Sequence, residues 1–166
     1  SDDFWTVNHL KLLYLISKYS HCAQTVHEKE RWIRKLPMLV LLYEGIVQRV
    51  FEYDYAPASE VVETARVYLN VTQEGKDDLD DLVEGKLVKG LRLSTKEHQS
   101  VTAYQISPSG LALISKRLPD EERQLVDDLC IVDGKLLQVV WEDKRFLLRT
   151  MTFSRESTVT DAEDVS

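Results

Sequence analysis

The sequence predicts an α+β protein, and three observations predict it. The first stretch of the chain carries apolar residues at helical spacing and holds no glycine before Gly45. Beyond Leu129, apolar and polar residues alternate, and Asp133-Gly134 supplies a hairpin signal between two such runs. Between these two regions, a capped helical segment leads into two β-branched runs separated by a polar tip. The elements follow in order.

Asp2 or Asp3 can cap a first helix, with Phe4, Val7, Leu10 and Tyr14 at helical spacing. Leu12, Leu13, Leu15 and Ile16 widen its apolar surface to almost the whole circumference, so it needs cover on several sides. A second, amphipathic helix is expected over Ala23 to Leu36, anchored by Trp32 and Ile33. Pro37 suits the first turn of a third helix, where its missing N–H costs nothing, and Met38 to Phe51 reads as the central core helix.

Pro57-Ala58-Ser59 starts a short helix with Val61, Val62 and Ala65 as its apolar side. After a turn at Tyr68 to Val71, Thr72 caps a helix over Gln73 to Glu84, which Gly85 ends. Leu87 to Leu93 reads as a strand, Ser94 to Ser100 as a polar tip and Val101 to Ile106 as the returning strand. Ser107-Pro108 launches a helix through Leu111, Leu113 and Ile114. Pro119-Asp120-Glu121-Glu122 opens another, with acids near the positive end of the helix dipole. A three-strand β-meander follows to Phe153, with Val139, Trp141, Phe146 and Leu148 as its inner face. Ser154 to Ser166 is an acidic tail that either lies on the rest of the protein or is disordered.

Helix, helix, helix, strand, polar tip, strand, helix is the order of a winged helix-turn-helix domain. Val71-Thr72-Gln73-Glu74-Gly75, then Leu79, Leu82 and Leu87-Val88, and later Tyr104-Gln105-Ile106-Ser107-Pro108-Ser109-Gly110, are similar to MarR/PadR-type transcription regulators. The resemblance runs over about residues 36–117. It implies a winged-helix domain at 37–118; the residue patterns outside it add N-terminal helices at 1–36, a helix plus meander at 119–153 packed on it and a tail at 154–166. It also implies that the helix over Gln73 to Glu84 would enter a DNA major groove.

The residues of that helix argue otherwise. With Leu79, Leu82 and Val83 inward, Lys76, Asp77, Asp80, Asp81 and Glu84 point outward, beside Asp78. Such a face repels the phosphates flanking a groove. The following strand and tip are basic, with Lys86, Lys89, Arg92 and Lys96. We therefore expect a partner-binding set of Lys76, Asp77, Asp80, Asp81, Glu84, Lys89, Arg92 and Lys96.

The 166 residues carry 21 Lys+Arg against 28 Asp+Glu, a net charge of −7 that disfavours nonspecific nucleic-acid binding. A hydrophobic share of 43% with 30% charged residues is that of a globular chain rather than a disordered one. Cys22 and Cys130 are read as buried free thiols of a reducing compartment, not a disulfide framework. No signal pattern opens the chain, and the longest apolar run, Met38 to Tyr43, is far below the ~20 residues of a membrane span. A soluble intracellular protein is expected.

There is no phosphate loop, nucleophile elbow, HExxH or CxxC. His21, Cys22 and His27 do not fall on one helical face, so no metal is expected from them. Asn70-Val71-Thr72 reads as a turn and a helix cap. No catalytic residue, cofactor or metal is expected. The sequence points to a non-catalytic docking module of a larger protein assembly, with other protein subunits as partners, nucleic acid an improbable one and a helix-mediated dimer open. The alternative is a homodimeric DNA-binding regulator of the MarR/PadR type.

Overall fold

The computed structural model describes residues 2–94, 99–157 and 162–164. It is a mixed α+β chain of helices and small antiparallel sheets. The chain divides into two compact units, each assembled from two separate stretches. One comprises Ser1–Lys35 with Lys76–Val126, the other Leu36–Gly75 with Asp127–Ser166. These are not the consecutive segments that the sequence reading outlines.

The first unit begins with a short 3-10 turn, Asp2–Phe4, and helix α1, Val7–Tyr19. The cap is Thr6 rather than Asp2 or Asp3. Its hydroxyl accepts the His9 N–H at 3.2 Å, and the His9 ring accepts the Thr6 N–H at 3.0 Å, a reciprocal capping box. Every residue from His9 to Ile16 is buried, as an all-round apolar helix requires.

No helix follows over Ala23 to Leu36. The chain instead makes a loop closed by an isolated bridge between His21 and Arg31, then strand β1, Ile33–Arg34. The loop's charged residues lie in water, and Val26 is 94% exposed. A helix here would bury little. Pairing Ile33 with Tyr104 and Arg34 with Ala103 buries Ile33 in a sheet instead.

The second unit takes up the chain with α2, Lys35–Val47. It ends earlier than expected, where Arg49 adopts a left-handed φ of 62° and the Val50 N–H bonds back to Gly45 O at 2.8 Å. Phe51 then folds against Gly45, where a Cβ would meet its ring at 2.6 Å. The helix expected at Pro57 is a hairpin: β2, Ala56–Val62, and β3, Ala65–Val71, joined at Glu63-Thr64. Ala65, Val67 and Leu69 are buried at every second position, a period-two pattern, and Ser59 lies mid-strand, accepting from Arg66 Nη1 at 2.6 Å.

Helix α3, Gln73–Glu84, has the expected bounds and cap, with the Gly75 N–H on Thr72 Oγ1 at 3.1 Å. Its end is a Schellman closure: Leu87 N–H to Leu82 O at 3.0 Å and Lys86 N–H to Val83 O at 3.1 Å. The left-handed residue is Lys86, φ 61°, not Gly85. Gly85 is needed for room, since a Cβ there would stand 2.7 Å from the Trp5 ring.

Strand β4, Val88–Ser94, pairs with β5, Gln99–Ile106, with an irregularity between Leu91 and Arg92. Strand β1 joins the far side, giving the sheet order β1-β5-β4. Helix α4, Pro108–Arg117, follows with Ser107 as cap and packs on α1. Helix α5, Asp120–Cys130, opens with its three acids.

In the second unit the C-terminal part differs from the expected meander by one strand. Strands β6, Ile131–Val132, and β7, Lys135–Leu136, form a separate small hairpin around Asp133-Gly134. The three-strand meander consists of β8, Gln138–Glu142, β9, Arg145–Arg149, and β10, Ser154–Glu156. Val139 pairs with Leu148 and Trp141 with Phe146, so these four share a face. Phe146 and Leu148 are buried and the other two half-buried.

The supposed tail is thus partly sheet, and β11, Ala162–Asp164, adds to β3. What holds β10 is chemical. Glu44, near the C-terminal end of α2, is 1% exposed and accepts from Arg155 Nη2 at 2.7 Å and Ser157 Oγ at 3.0 Å. A carboxylate that deeply buried demands such partners.

Two outcomes follow for chemical denaturation. Gly85→Ala destabilises through the Trp5 clash, whereas Lys86→Gly stabilises by about 1 kcal/mol by relieving the left-handed conformation. Arg155→Ala costs about 3 kcal/mol because it strands the Glu44 charge, while Arg145→Ala, at an exposed ion pair with Glu156, moves stability by less than about 1 kcal/mol.

Candidate functional site

The candidate surface lies on α3 and β4. Asp77, Asp80 and Glu84 are exposed, and their spacing of three and four places them on one helical face. Lys76 is half-buried. Leu79 and Leu82 are buried on the opposite side, as expected, and Val83 is half-buried.

Asp81 does not belong to the outward set. Its Oδ2 accepts from His9 Nε2 at 2.9 Å, and Asp78 Oδ1 lies 3.3 Å from the same nitrogen. His9 is 5% exposed, with the Trp5 ring edge-on against it at 5.2 Å. The acids of α3 thus divide. Asp78 and Asp81 clamp the N-terminal turn of α1, Glu74 accepts the Asp54 N–H at 2.8 Å, and Asp77, Asp80 and Glu84 face solvent.

Among the described residues, the donor atoms of His9, Asp78 and Asp81 come close enough to hold a cation, all within 4.8 Å. The hydrogen bonds around His9 oppose that use. Nδ1 accepts the Thr6 backbone N–H, which leaves the ring proton on Nε2, where it serves Asp81. A metal on Nε2 would force that proton onto Nδ1, against the Thr6 N–H. Metal-bound histidines take the reverse arrangement, donating from their second nitrogen. The trio works as a hydrogen-bonded clamp.

Asp80 acts on a neighbour through its charge. Tyr104 on β5 is buried, and burial first, then the Asp80 carboxylate, pushes its phenol up to about 12. The phenol stays neutral across the ordinary pH range.

On the basic side, Lys89 and Arg92 of β4 are exposed, with Leu91 half-exposed between them. Lys96 lies outside the described residues. Lys89 is also engaged: its Nζ stands 3.4 Å from Cys22 Sγ in the loop after α1. Of the histidines near Cys22, His21 Nε2 lies 3.4 Å from Glu28 Oε2 and His27 is exposed. The Gln24 backbone N–H, with His21, holds the Glu28 carboxyl below its usual range. Cys22 and Cys130 are buried and not joined in a disulfide.

Three pairings escaped the sequence reading: His9 with Asp81, Lys11 with Glu122 at 3.4 Å, and Glu44 with Arg155. One signal existed for each. A histidine, a lysine and a glutamate stand where an apolar helix face should continue.

Tyr104 supplies a pH test. Its folded value is raised, so its contribution to stability is complete below the unfolded value near 10 and is lost as pH rises through about 12. From about pH 9 to about pH 12, wild type should lose on the order of 2 kcal/mol more than Tyr104→Phe in denaturant unfolding.

No curated protein and no solved structure matches this chain. One family model does, over residues 8–158, which includes both clamped pairs of α1, the whole of α3 and the β4–β5 hairpin. With nearly its entire length covered, the chain belongs to the Uncharacterized protein MJ1567 family.

Proposed function

We propose that this chain is a non-catalytic docking module of a larger protein assembly, built on a winged-helix element. The acidic face of α3 and the basic strand β4 form its contact surface. The order of elements supports the winged-helix part of the reading. Within residues 37–118, helices α2 and α3 precede the β4–β5 hairpin and α4 follows it. The hairpin β2–β3 stands where a helix was expected, as an addition between α2 and α3.

The observation that carries docking over DNA readout is the exposed stripe Asp77, Asp80 and Glu84. On the helix that would meet a major groove, three carboxylates in a row oppose the phosphates on either side. A protein surface with lysines and arginines suits that stripe, and acidic residues suit Lys89 and Arg92. The alternative, a MarR/PadR-like homodimeric DNA-binding regulator, draws on those two basic residues. The α3 stripe counts against it. Among the described residues, no helix is long and apolar enough to cross a membrane.

Purification of the tagged protein from its native host, followed by mass spectrometry, should return stoichiometric partner subunits. Reversing Asp77, Asp80 and Glu84 to Lys should abolish that recovery while leaving thermal unfolding unchanged within a few degrees. Asp81 is left intact because it holds His9. A lone homodimer that binds duplex DNA tightly at low salt, with affinity falling steeply as salt rises, would replace this reading with the regulator.

A further inference from the structure

Cys22 lies at the start of the loop that follows α1. Backbone bonds between His21 and Arg31, at 3.1 and 3.0 Å, close that loop. The Cys22 side chain is buried, and Lys89 Nζ stands 3.4 Å from its Sγ. Lys89 is otherwise exposed, so its head group can exchange protons with water.

An independent observation points to a small ligand here. Gln105 is the direct cross-strand partner of Lys89, so the two side chains leave the sheet on the same face. Gln105 is 0% exposed. Its Nε2 donates to Arg31 O at 3.3 Å, the same carbonyl that accepts the His21 N–H, one residue from Cys22. A flipped amide would set Oε1 against the Arg31 carbonyl oxygen, two acceptors face to face, which fixes the orientation. Oε1 is left buried with no hydrogen-bond partner, a state that folded proteins seldom tolerate without a use. Thiol and amine thus stand together at the base of one loop, and the orphan acceptor belongs to the residue paired with that amine.

We propose that this is an oxidation site, where hydrogen peroxide reacts with Cys22 and Lys89 captures the product in a reversible covalent cross-link. Peroxide is a small molecule with two O–H donors, one of which Gln105 Oε1 accepts. Cys22 sulfur attacks one peroxide oxygen and the O–O bond breaks. The departing hydroxide leaves as water with the thiol proton, and sulfur, oxidised by two electrons, carries a hydroxyl as sulfenic acid. Lys89 first gives one proton to solvent. Its amine then attacks the sulfur, the S–O bond breaks and hydroxide leaves with an amine proton as a second water. The net change is one thiol, one ammonium and one peroxide converted to a sulfur–nitrogen bond, two waters and a proton. Two equivalents of a reducing thiol restore thiol and amine and leave as a disulfide.

The cross-link would tie the loop to β4 and remove the Lys89 charge. Lys89 is also one of the two basic residues of the proposed docking surface, but the test of the cross-link needs no partner. The purified chain is treated with stoichiometric hydrogen peroxide, and its intact mass and proteolytic peptides are measured. The expected result is loss of two hydrogens, a peptide joining Cys22 to Lys89, and reversal by dithiothreitol. Cys130→Ala should keep that loss, which separates it from a disulfide. Lys89→Arg should gain one oxygen instead and react with a dimedone probe at Cys22. Gln105→Leu should slow the reaction about tenfold, equal to ~1.4 kcal/mol of barrier. Persistence of the two-hydrogen loss in Lys89→Arg, or a wild-type digest with Cys22 oxidised but joined to nothing, would overturn the cross-link. An unchanged rate in Gln105→Leu would overturn the peroxide-docking role of its carbonyl.

Discussion

Helix α1 has no solvent face along its middle, and much of the first unit answers to that constraint. Buried from His9 to Ile16, the helix must be covered all round. The structure covers it with α4 and β5. The approach of α4 is close: a Cβ at Gly110 would stand 2.3 Å from Leu87 O and 3.2 Å from Leu13. Each polar group on such a helix then needs a partner from another element, because unpaired burial is costly. His9 takes Asp81, Lys11 takes Glu122, and Ser20 Oγ accepts the Ile106 N–H at 2.9 Å while donating to Ile16 O. These bonds position α3, α5 and β5 in one stroke.

This division of labour changes the meaning of the acidic helix. Charge counting along α3 treats its carboxylates alike. The fold separates them by helical phase: Asp78 and Asp81 turn to the imidazole, while Asp77, Asp80 and Glu84 turn to water. What remains outward is narrower, and lies on one stripe. Burial, and then Asp80 of that stripe, raise the Tyr104 phenol from within the sheet.

Legibility in the sequence followed how local the cause was. Helix α3, the Ser107 cap of α4 and the β4–β5 hairpin are governed by caps, turns and short-range periodicity, and their residues announced them. The loop at 21–31 and the β2–β3 hairpin were misread because their decisive partners are remote or their periodicity is ambiguous. Ile33 becomes a strand only when Tyr104 is beside it. Val61, Val62 and Ala65 fit a helical face, but β2–β3 pairing puts Val61 outward and divides them between two strands. Of the candidate site, the outward acids and the basic strand were legible. His9 was not, since its pairing with Asp81 spans 72 residues.

The interleaving of the two units has a consequence for how the protein is made. The chain passes from one unit to the other at Leu36, at Lys76 and again at Asp127. During synthesis, the first unit lacks β5 and α4 until the later part of the chain emerges, and the second awaits Arg155 for the charge buried at Glu44. Neither unit is complete until chain belonging to the other has been made. The high-separation contacts at β1–β5 and Glu44–Arg155 place this chain among slow folders for its size. No single cut releases either unit whole, so limited proteolysis would yield nicked assemblies rather than separable domains.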